Sequence, residues 1–411
     1  MWFLAIRHLT SRRRQTLITI SGVALGVSAF VAFSNIMLGF QEYIINQLVN
    51  NDSHVRVSKR EEIIEEHSMD KIYYPNANHV FWIKPPSGNR DSTQIENPLS
   101  WFERLKLDPR VLAYSPQLQT QVFYTYGGVT RAGKIIGSDP HKQIRISNIR
   151  DYMKQGDFLK IGSSGNKIVA GDSLLKKMGA RVGDSLVIST GKSTGIPFKI
   201  IGAFHFGIMG IDDAVTFGSL PDVQTVSLTP SQISDIAIRL TDVNLASEFA
   251  SDYSQLSKDK VQSWDQANAN ILSVFTMQNM IRNFITTSIM IVAAFGIYNI
   301  LNILVNQKRK DIGILRSMGF DSPDIRNLFL IQGLILGTIG GAVGLLFGHG
   351  ISMLMGMMKI GGMIDRMIIS YNPQIYITGF IVATFAAAFS SFLPARAAGK
   401  LKPIDIVRSG E

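Results

Sequence analysis

Ile300-Leu301-Asn302-Ile303-Leu304-Val305-Asn306-Gln307-Lys308-Arg309-Lys310-Asp311-Ile312-Gly313-Ile314-Leu315-Arg316-Ser317-Met318-Gly319 decides how this chain is built. Upstream of Gln307 no charged residue occurs back to Asn283, and a spanning helix needs about 20 mainly apolar residues. The run from Asn283 to Gln307 is therefore a transmembrane helix, and the segment after it lies at a membrane surface. Before the next apolar run opens at Asn327, the chain carries Lys308, Arg309, Lys310, Arg316 and Arg326, the mark of a cytoplasmic loop. Ile312, Leu315 and Met318 recur every third residue among these charges. That spacing gives a short helix an apolar stripe. A solvated loop that merely obeys the charge rule has no use for such a stripe. It predicts a helix that docks in a groove on a cytoplasmic partner, so that removing Ile312 and Leu315 uncouples the two without unfolding the outer domain.

Three further uncharged or nearly uncharged runs have spanning length: Leu17 to Phe40, Asn327 to Met358 with only His349, and Met367 to Ala395. The 46% hydrophobic content of the 411 residues is thus concentrated in four runs, with a polar middle. Met1 to Gln15 reads as an amphipathic segment, with Trp2, Phe3, Ile6 and Leu9 at helical spacing among Arg7, Arg12, Arg13 and Arg14. A secretory signal peptide is the competing reading, but the run from Leu17 is too long for an h-region and no small-x-small site closes it. Lys and Arg cluster at the N-terminus, in the central loop and in the tail (Arg396, Lys400, Lys402, Arg408), against Lys359 and Arg366 in the remaining short loop. Both termini are therefore expected in the cytoplasm and the polar middle outside. The +10 net charge sits beside the apolar runs, which argues against nucleic acid as a partner. Absence of cysteine excludes disulfide and thiolate chemistry.

The expected organisation is an amphipathic cytoplasmic segment (1–16), transmembrane helix 1 with a stalk (17–48), an extracytoplasmic α+β domain (49–270) and a stalk with transmembrane helix 2 (271–307). A cytoplasmic loop (308–326), helix 3 (327–358), a short outer loop (359–370), helix 4 (371–395) and a cytoplasmic tail (396–411) complete it. Within the outer domain, His54 to Val57, Gln121 to Tyr126 and Asp235 to Leu240 alternate as half-buried strands do. Ala170 to Gly179 has helical periodicity closed by a capping glycine. Charge and proline accumulate from Glu61 to Asn97, which reads as an inserted segment.

Gly333, Gly337 and Gly341 recur every fourth residue, as do Gly340, Gly344 and Gly348. Small residues at that spacing let helix backbones approach closely in lipid, and Gly22 and Gly26 make the same weaker signal. No Asp, Glu, Lys or Arg lies inside an apolar run, which argues against proton or sodium coupling. Gly191-Lys192-Ser193-Thr194 imitates the end of a phosphate loop, but Leu186 stands where GxxxxGK[ST] needs its first glycine. Any ATP must therefore be bound by another chain. The seven histidines show no metal-ligand spacing and no GxSxG elbow stands out, so neither a metal site nor a catalytic site is expected.

These features resemble the FtsX-like permease family of ABC transporters, the MacB-type or mechanotransmission class, and within it the lipoprotein-releasing permeases of the LolC and LolE type. The resemblance covers essentially the whole chain. It is carried by Lys308 to Gly319, Ile331-Gln332-Gly333, and Leu393-Pro394-Ala395-Arg396-Ala397-Ala398 with Pro403 and Arg408, and more weakly by Gly179 to Ser185 and Trp264 to Asn268. It implies a four-helix membrane part with a MacB-type periplasmic core of Porter and Sabre-like subdomains, in a bacterial inner membrane. It further implies pairing with a second permease chain, itself or a paralogue, and a coupling helix at Lys308 to Phe320 docked on a dimer of cytoplasmic ABC ATPase subunits. Those subunits bind the ATP and magnesium, and this chain needs no cofactor of its own. A lipoprotein drawn from the membrane lipids and passed to a periplasmic carrier is the implied cargo. Export of amphiphiles or peptides with a periplasmic adaptor, or regulation of a cell-wall hydrolase, are the alternatives. The hairpin that captures the carrier matches Gly191, Lys192, Gly195, Ile196 and Pro197 and is short here; Gln278-Asn279 stands where the releasing permeases usually have Glu-Lys.

Overall fold

A computed structural model describes residues 1–60, 62–90, 94–163, 165–191, 194–358 and 367–401. The chain divides into two compact units, Met1–Tyr43 with Ser273–Glu411, and Ile44–Leu272. Lys359, Arg366, Lys402, Pro403 and Arg408 lie outside the described residues.

The first unit is helical. A short N-terminal helix, Trp2–Ser11, precedes four helices long and apolar enough to cross a membrane: Arg13–Asn51, Ala269–Gln307, Ser322–Met357 and Pro373–Gly399, called spanning helices 1 to 4. At 39 residues each, helices 1 and 2 are about 58 Å long, nearly twice the roughly 30 Å hydrocarbon layer. Between helices 2 and 3 lies a connecting helix, Arg309–Ser317. Lys308 pairs with Asp311 at its start, 2.5 Å apart, and Gly319 reverses the chain after it with φ +98°, a conformation that costs only glycine nothing. Asp321 and Asp324 then form a reciprocal capping box, with proline in the first turn. Residues 322–326, expected in the loop, therefore belong to helix 3.

Helix 3 holds the bundle together through its two glycine series, which point in different directions. A Cβ on Gly340, Gly344 or Gly348 would strike Val23, Val27 or Val31 of helix 1. One on Gly337 or Gly341 would meet Ala387 or Phe380 of helix 4, and one on Gly333 would meet Ser391. Lipid supplies no hydrophobic drive between helices, so this close backbone approach and its dispersion contacts supply the association.

In the second unit one sheet runs in the order Lys260–Ser263, Val55–Ser58, Asp235–Leu240, Val111–Tyr126, Val129–Ser138, Val215–Ser219, Lys167–Gly171, Ile196–Phe204, Met153–Gly156. Ser185–Ser189 pairs with both Val111–Tyr126 and Ile196–Phe204, closing six strands into a ring. Closure removes exposed strand edges. The 16-residue strand Val111–Tyr126 belongs to two cores. Its second half lines the ring with Val122 and Tyr124 against Leu186, Ile188 and Phe198. Its first half pairs with Asp235–Leu240 beside a core of Val55, Trp101, Ile236, Ile238 and Phe249. The alternating stretches at Val55, Gln121 and Asp235 are all strands, and helix Asp172–Met178 ends on Gly179 at φ +72°. The helix starts two residues later than its periodicity suggests, because Ala170 and Gly171 close the strand before it. Glu62–Ile64 and Gly88–Arg90 pair as a separate ribbon inside the segment read as inserted.

Candidate functional site

The connecting helix is anchored from within. Ile312 is 0% exposed and packs in a cluster with Leu9, Ile325, Phe329 and Ala398, while Leu315 covers the same cluster from its edge. The expected docking stripe is corrected here: Ile312 and Leu315 face the chain's own helices and hold the connecting helix on the bundle. Helical spacing alone cannot tell an inward stripe from an outward one. Of the three, Met318 is exposed, at 72%. With it on the outer surface stand Arg309, Lys310 and Ile314, the last 58% exposed. Arg316 is half-buried, and its buried Nε has no hydrogen-bond partner among the described residues. The outward surface is thus a pair of apolar side chains flanked by cations.

Leu9 also turns inward, so Trp2, Phe3 and Ile6 alone form the exposed apolar face of the N-terminal helix. His8 on that helix lies 3.3 Å from the Gln332 amide nitrogen. Burial lowers its pKa, and the Lys308 charge lowers it further.

Among the glycines expected to pack helices, Gly333, Gly337, Gly341, Gly344 and Gly348 do so as described above, and Gly26 meets Ile289 of helix 2. Gly22 meets nothing within 4 Å and lines a cleft between helices 1 and 2 with Gly26, Ala293 and Gly296.

Where helix 3 ends and helix 4 begins, a polar cluster joins three spanning helices, and no local sequence pattern announces it. Asn35 Nδ2 donates to Ser352 Oγ and Tyr376 OH, each at 3.0 Å, and His349 Nδ1 lies 2.9 Å from Tyr376 OH. Ser370 donates its backbone N–H to the Asn35 carbonyl at 2.9 Å and its hydroxyl to Glu42 at 3.1 Å. Gly39 admits this segment, since a Cβ there would come within 2.6 Å of Ser370 N. Gln41 donates to Gln278 at 3.2 Å and to Asn279 at 3.5 Å, so the amides standing in place of Glu-Lys tie helices 1 and 2 without charge. A groove of about 730 Å³ opens between helices 1, 2 and 4. Arg282 lines it, a residue that stands one position before the uncharged run and so escapes a search confined to that run.

In the second unit the expected carrier hairpin is the turn between Ser185–Ser189 and Ile196–Phe204. Gly191 is exposed and open, Gly195 sits over Val187, and Ile196 packs on the ring core. Pro197 is paired within the sheet opposite Val187. Lys192 lies outside the described residues. Histidine spacing shows no cluster, yet the fold brings Asp172, His205 and Asp212 within 4.8 Å of one another. Their donors are engaged: His205 Nδ1 is 2.9 Å from Asp172, and Asp212 accepts the N–H groups of Phe206 and Gly207 at 2.8 Å each. Burial raises the Asp212 pKa despite those bonds. The cluster ties the helix Asp172–Met178 to the turn before Val215–Ser219.

Four spanning helices, a mixed-sheet unit inserted after the first, and a basic helix anchored between the second and third define a polytopic membrane protein with a large extramembrane unit. The "MacB-like periplasmic core domain" family matches residues 16–256 and the "FtsX-like permease C-terminal" family residues 283–403. The chain belongs to this FtsX-like, MacB-type family of ABC transporter permeases. It is 23% identical to the lipoprotein-releasing system transmembrane protein LolC of Xylella fastidiosa (strain Temecula1) over 98% of both chains. Identity to LolC of Neisseria meningitidis serogroup B is also 23%, over 84% of this chain and 80% of that protein. The macrolide export ATP-binding/permease protein MacB of Psychrobacter arcticus matches 98% of this chain with 58% of its own length, at 23% identity. Among solved structures, the periplasmic region of MacB from Actinobacillus actinomycetemcomitans aligns over 56% of this chain at 13% identity and a TM-score of 0.34.

Proposed function

We propose that this chain is the non-catalytic permease subunit of an ATP-driven transporter that draws lipid-anchored proteins from the outer leaflet of a bacterial inner membrane. The observation that carries the reading is the connecting helix: held on the bundle by Ile312, it presents Arg309, Lys310, Ile314 and Met318 outward. A helix fixed to two spanning helices transmits a push where a free loop would absorb it. On this reading a dimer of cytoplasmic ABC ATPase subunits binds ATP and magnesium and presses on that surface. Both termini lie in the cytoplasm, the unit Ile44–Leu272 lies in the periplasm, and a second permease chain completes the complex. Lipoprotein cargo is supported by the end-to-end likeness to a lipoprotein-releasing system transmembrane protein, and a periplasmic carrier that receives it is part of the same proposal.

The test is to purify the detergent-solubilised complex from its own membrane and identify what accompanies it by mass spectrometry. An ABC ATPase together with an acylated lipoprotein is expected. An ATPase with a periplasmic adaptor and no lipoprotein would make the chain an exporter subunit, and the absence of any ATPase would remove the mechanism.

A further inference from the structure

The groove between spanning helices 1, 2 and 4 is graded along its length. The end where helix 4 begins carries the polar groups Arg282, Asn283 and Thr286 of helix 2, Ser34 of helix 1 and Gln374 of helix 4, beside Leu38 and Ile375. Toward the other end it is lined by Met290, Ala294, Val382, Phe385 and Phe389. From Arg282 to Ala294 helix 2 rises about 18 Å, room for the length of an acyl chain. The volume of about 730 Å³ is that of an ordinary ligand site.

Two groups at the polar end lack what they need. Arg282 is half-buried, and among the described residues its one hydrogen-bond acceptor is the neighbouring Asn283 amide oxygen at 3.5 Å; no described carboxylate pairs with it. A guanidinium beside an apolar groove presents several donors suited to an oxyanion. Ser34 is 1% exposed, and its hydroxyl has no hydrogen-bond partner in the described residues. Helical serines ordinarily return that hydroxyl to a carbonyl one turn back, as Ser28 does to Leu25.

We propose that this groove binds an anionic glycerophospholipid, with its phosphate on Arg282, an ester oxygen on Ser34 and one acyl chain along helices 2 and 4. The cation selects a phosphate-bearing lipid. The glyceryl anchor of a lipid-modified protein is neutral and offers Arg282 no oxyanion. The site does not depend on which cargo the complex moves.

Native mass spectrometry of the full-length chain in non-ionic detergent tests this, with phosphatidylglycerol and a diacylglycerol of matched chain length as probes. Retention of phosphatidylglycerol should exceed that of diacylglycerol by about tenfold, equivalent to about 1.4 kcal/mol. Arg282→Gln should abolish the preference and Arg282→Lys should keep most of it. Ala294→Trp, which fills the apolar end, should reduce retention of both lipids. A readout on the unaltered chain uses phosphatidylglycerol with a photoactivatable group at the end of its acyl chain, which should label the segment 382–389. Equal retention of the two lipids, a preference unchanged in Arg282→Gln, or labelling confined to other segments would overturn the proposal. Displacement of phosphatidylglycerol by a diacylated cysteinyl peptide, itself bound in an Arg282-dependent way, would give the groove to cargo and overturn it too.

Discussion

Truncating Ile312 and truncating Ile314 should produce opposite phenotypes although the two residues are neighbours on one short helix. Ile312 is 0% exposed among Leu9, Ile325, Phe329 and Ala398, and replacing such a residue by alanine leaves a cavity that costs about 2–5 kcal/mol. Ile314 is 58% exposed, so Ile314→Ala should change folding stability by no more than about 0.5 kcal/mol. The outward pair matters if an ATPase subunit covers it. Apolar anchors at the centre of an interface are each worth more than about 1 kcal/mol on truncation, so Ile314→Ala with Met318→Ala should weaken that contact by about 2 kcal/mol, some thirtyfold. Two readings on the same preparations separate the effects: thermal unfolding of the purified full-length chain, and co-purification of the ATPase together with its rate of ATP hydrolysis. Ile312→Ala should lower the unfolding temperature and lose the ATPase as a consequence. The double variant should unfold as the parent does and still lose it. A double variant that retains a fully stimulated ATPase, or an Ile312→Ala variant with an unchanged unfolding temperature, would refute this division of roles.

Other substitutions probe the same architecture. Gly344→Ala should destabilise the bundle by about 1–3 kcal/mol relative to Gly350→Ala, because the new Cβ meets Ala24 and Val27 at 2.7 Å in the first case and open space in the second; equal unfolding temperatures would contradict the packing. Asn35→Ala strips Ser352 and Tyr376 of a shared donor and should cost about 1–3 kcal/mol, read by denaturant titration in detergent, with no change meaning that water replaces the amide. Hydrogen bonds from Arg110 hold the Asp108 carboxyl below the usual carboxylate range. A carboxyl lowered in the folded state stabilises above its unfolded pKa, and that contribution is lost as pH falls through the lowered value. Asp108→Asn should therefore be less stable at pH 7, by about 1.5–3 kcal/mol for hydrogen bonds to a charged group, and should lose less than the parent on acidification below about pH 4. Parallel stability curves for the two proteins would rule this out.

The segment from Asn283 to Gly319 is legible as a spanning helix and a basic turn because both properties are local. Lipid acts on one helix at a time, and a run of about 20 apolar residues satisfies it with no other part of the chain. The same holds for the glycine that closes the helix at Gly179; alternation at Asp235 to Leu240 marks a strand, but that strand is buried at every residue except Arg239, which only its packing on both faces decides. Composition along the chain thus determines four spanning helices around a mixed α and β unit. The faces are left to the tertiary structure. Periodicity aims Ile312 at a partner, whereas it is buried in the same core cluster as Phe329 and Ala398. Spacing groups Gly22 with the packing glycines, but it faces open space, while the two series on helix 3 serve two different helices. Arg282 falls one residue outside the apolar run, and only the continuous helix Ala269–Gln307 carries it into a groove. Asn35 finds Tyr376 across 341 residues of chain, and His205 finds Asp172 across 33. Periodicity states that a helix has a distinct face but not what covers it, because the covering atoms come from distant segments whose positions follow from packing the whole unit.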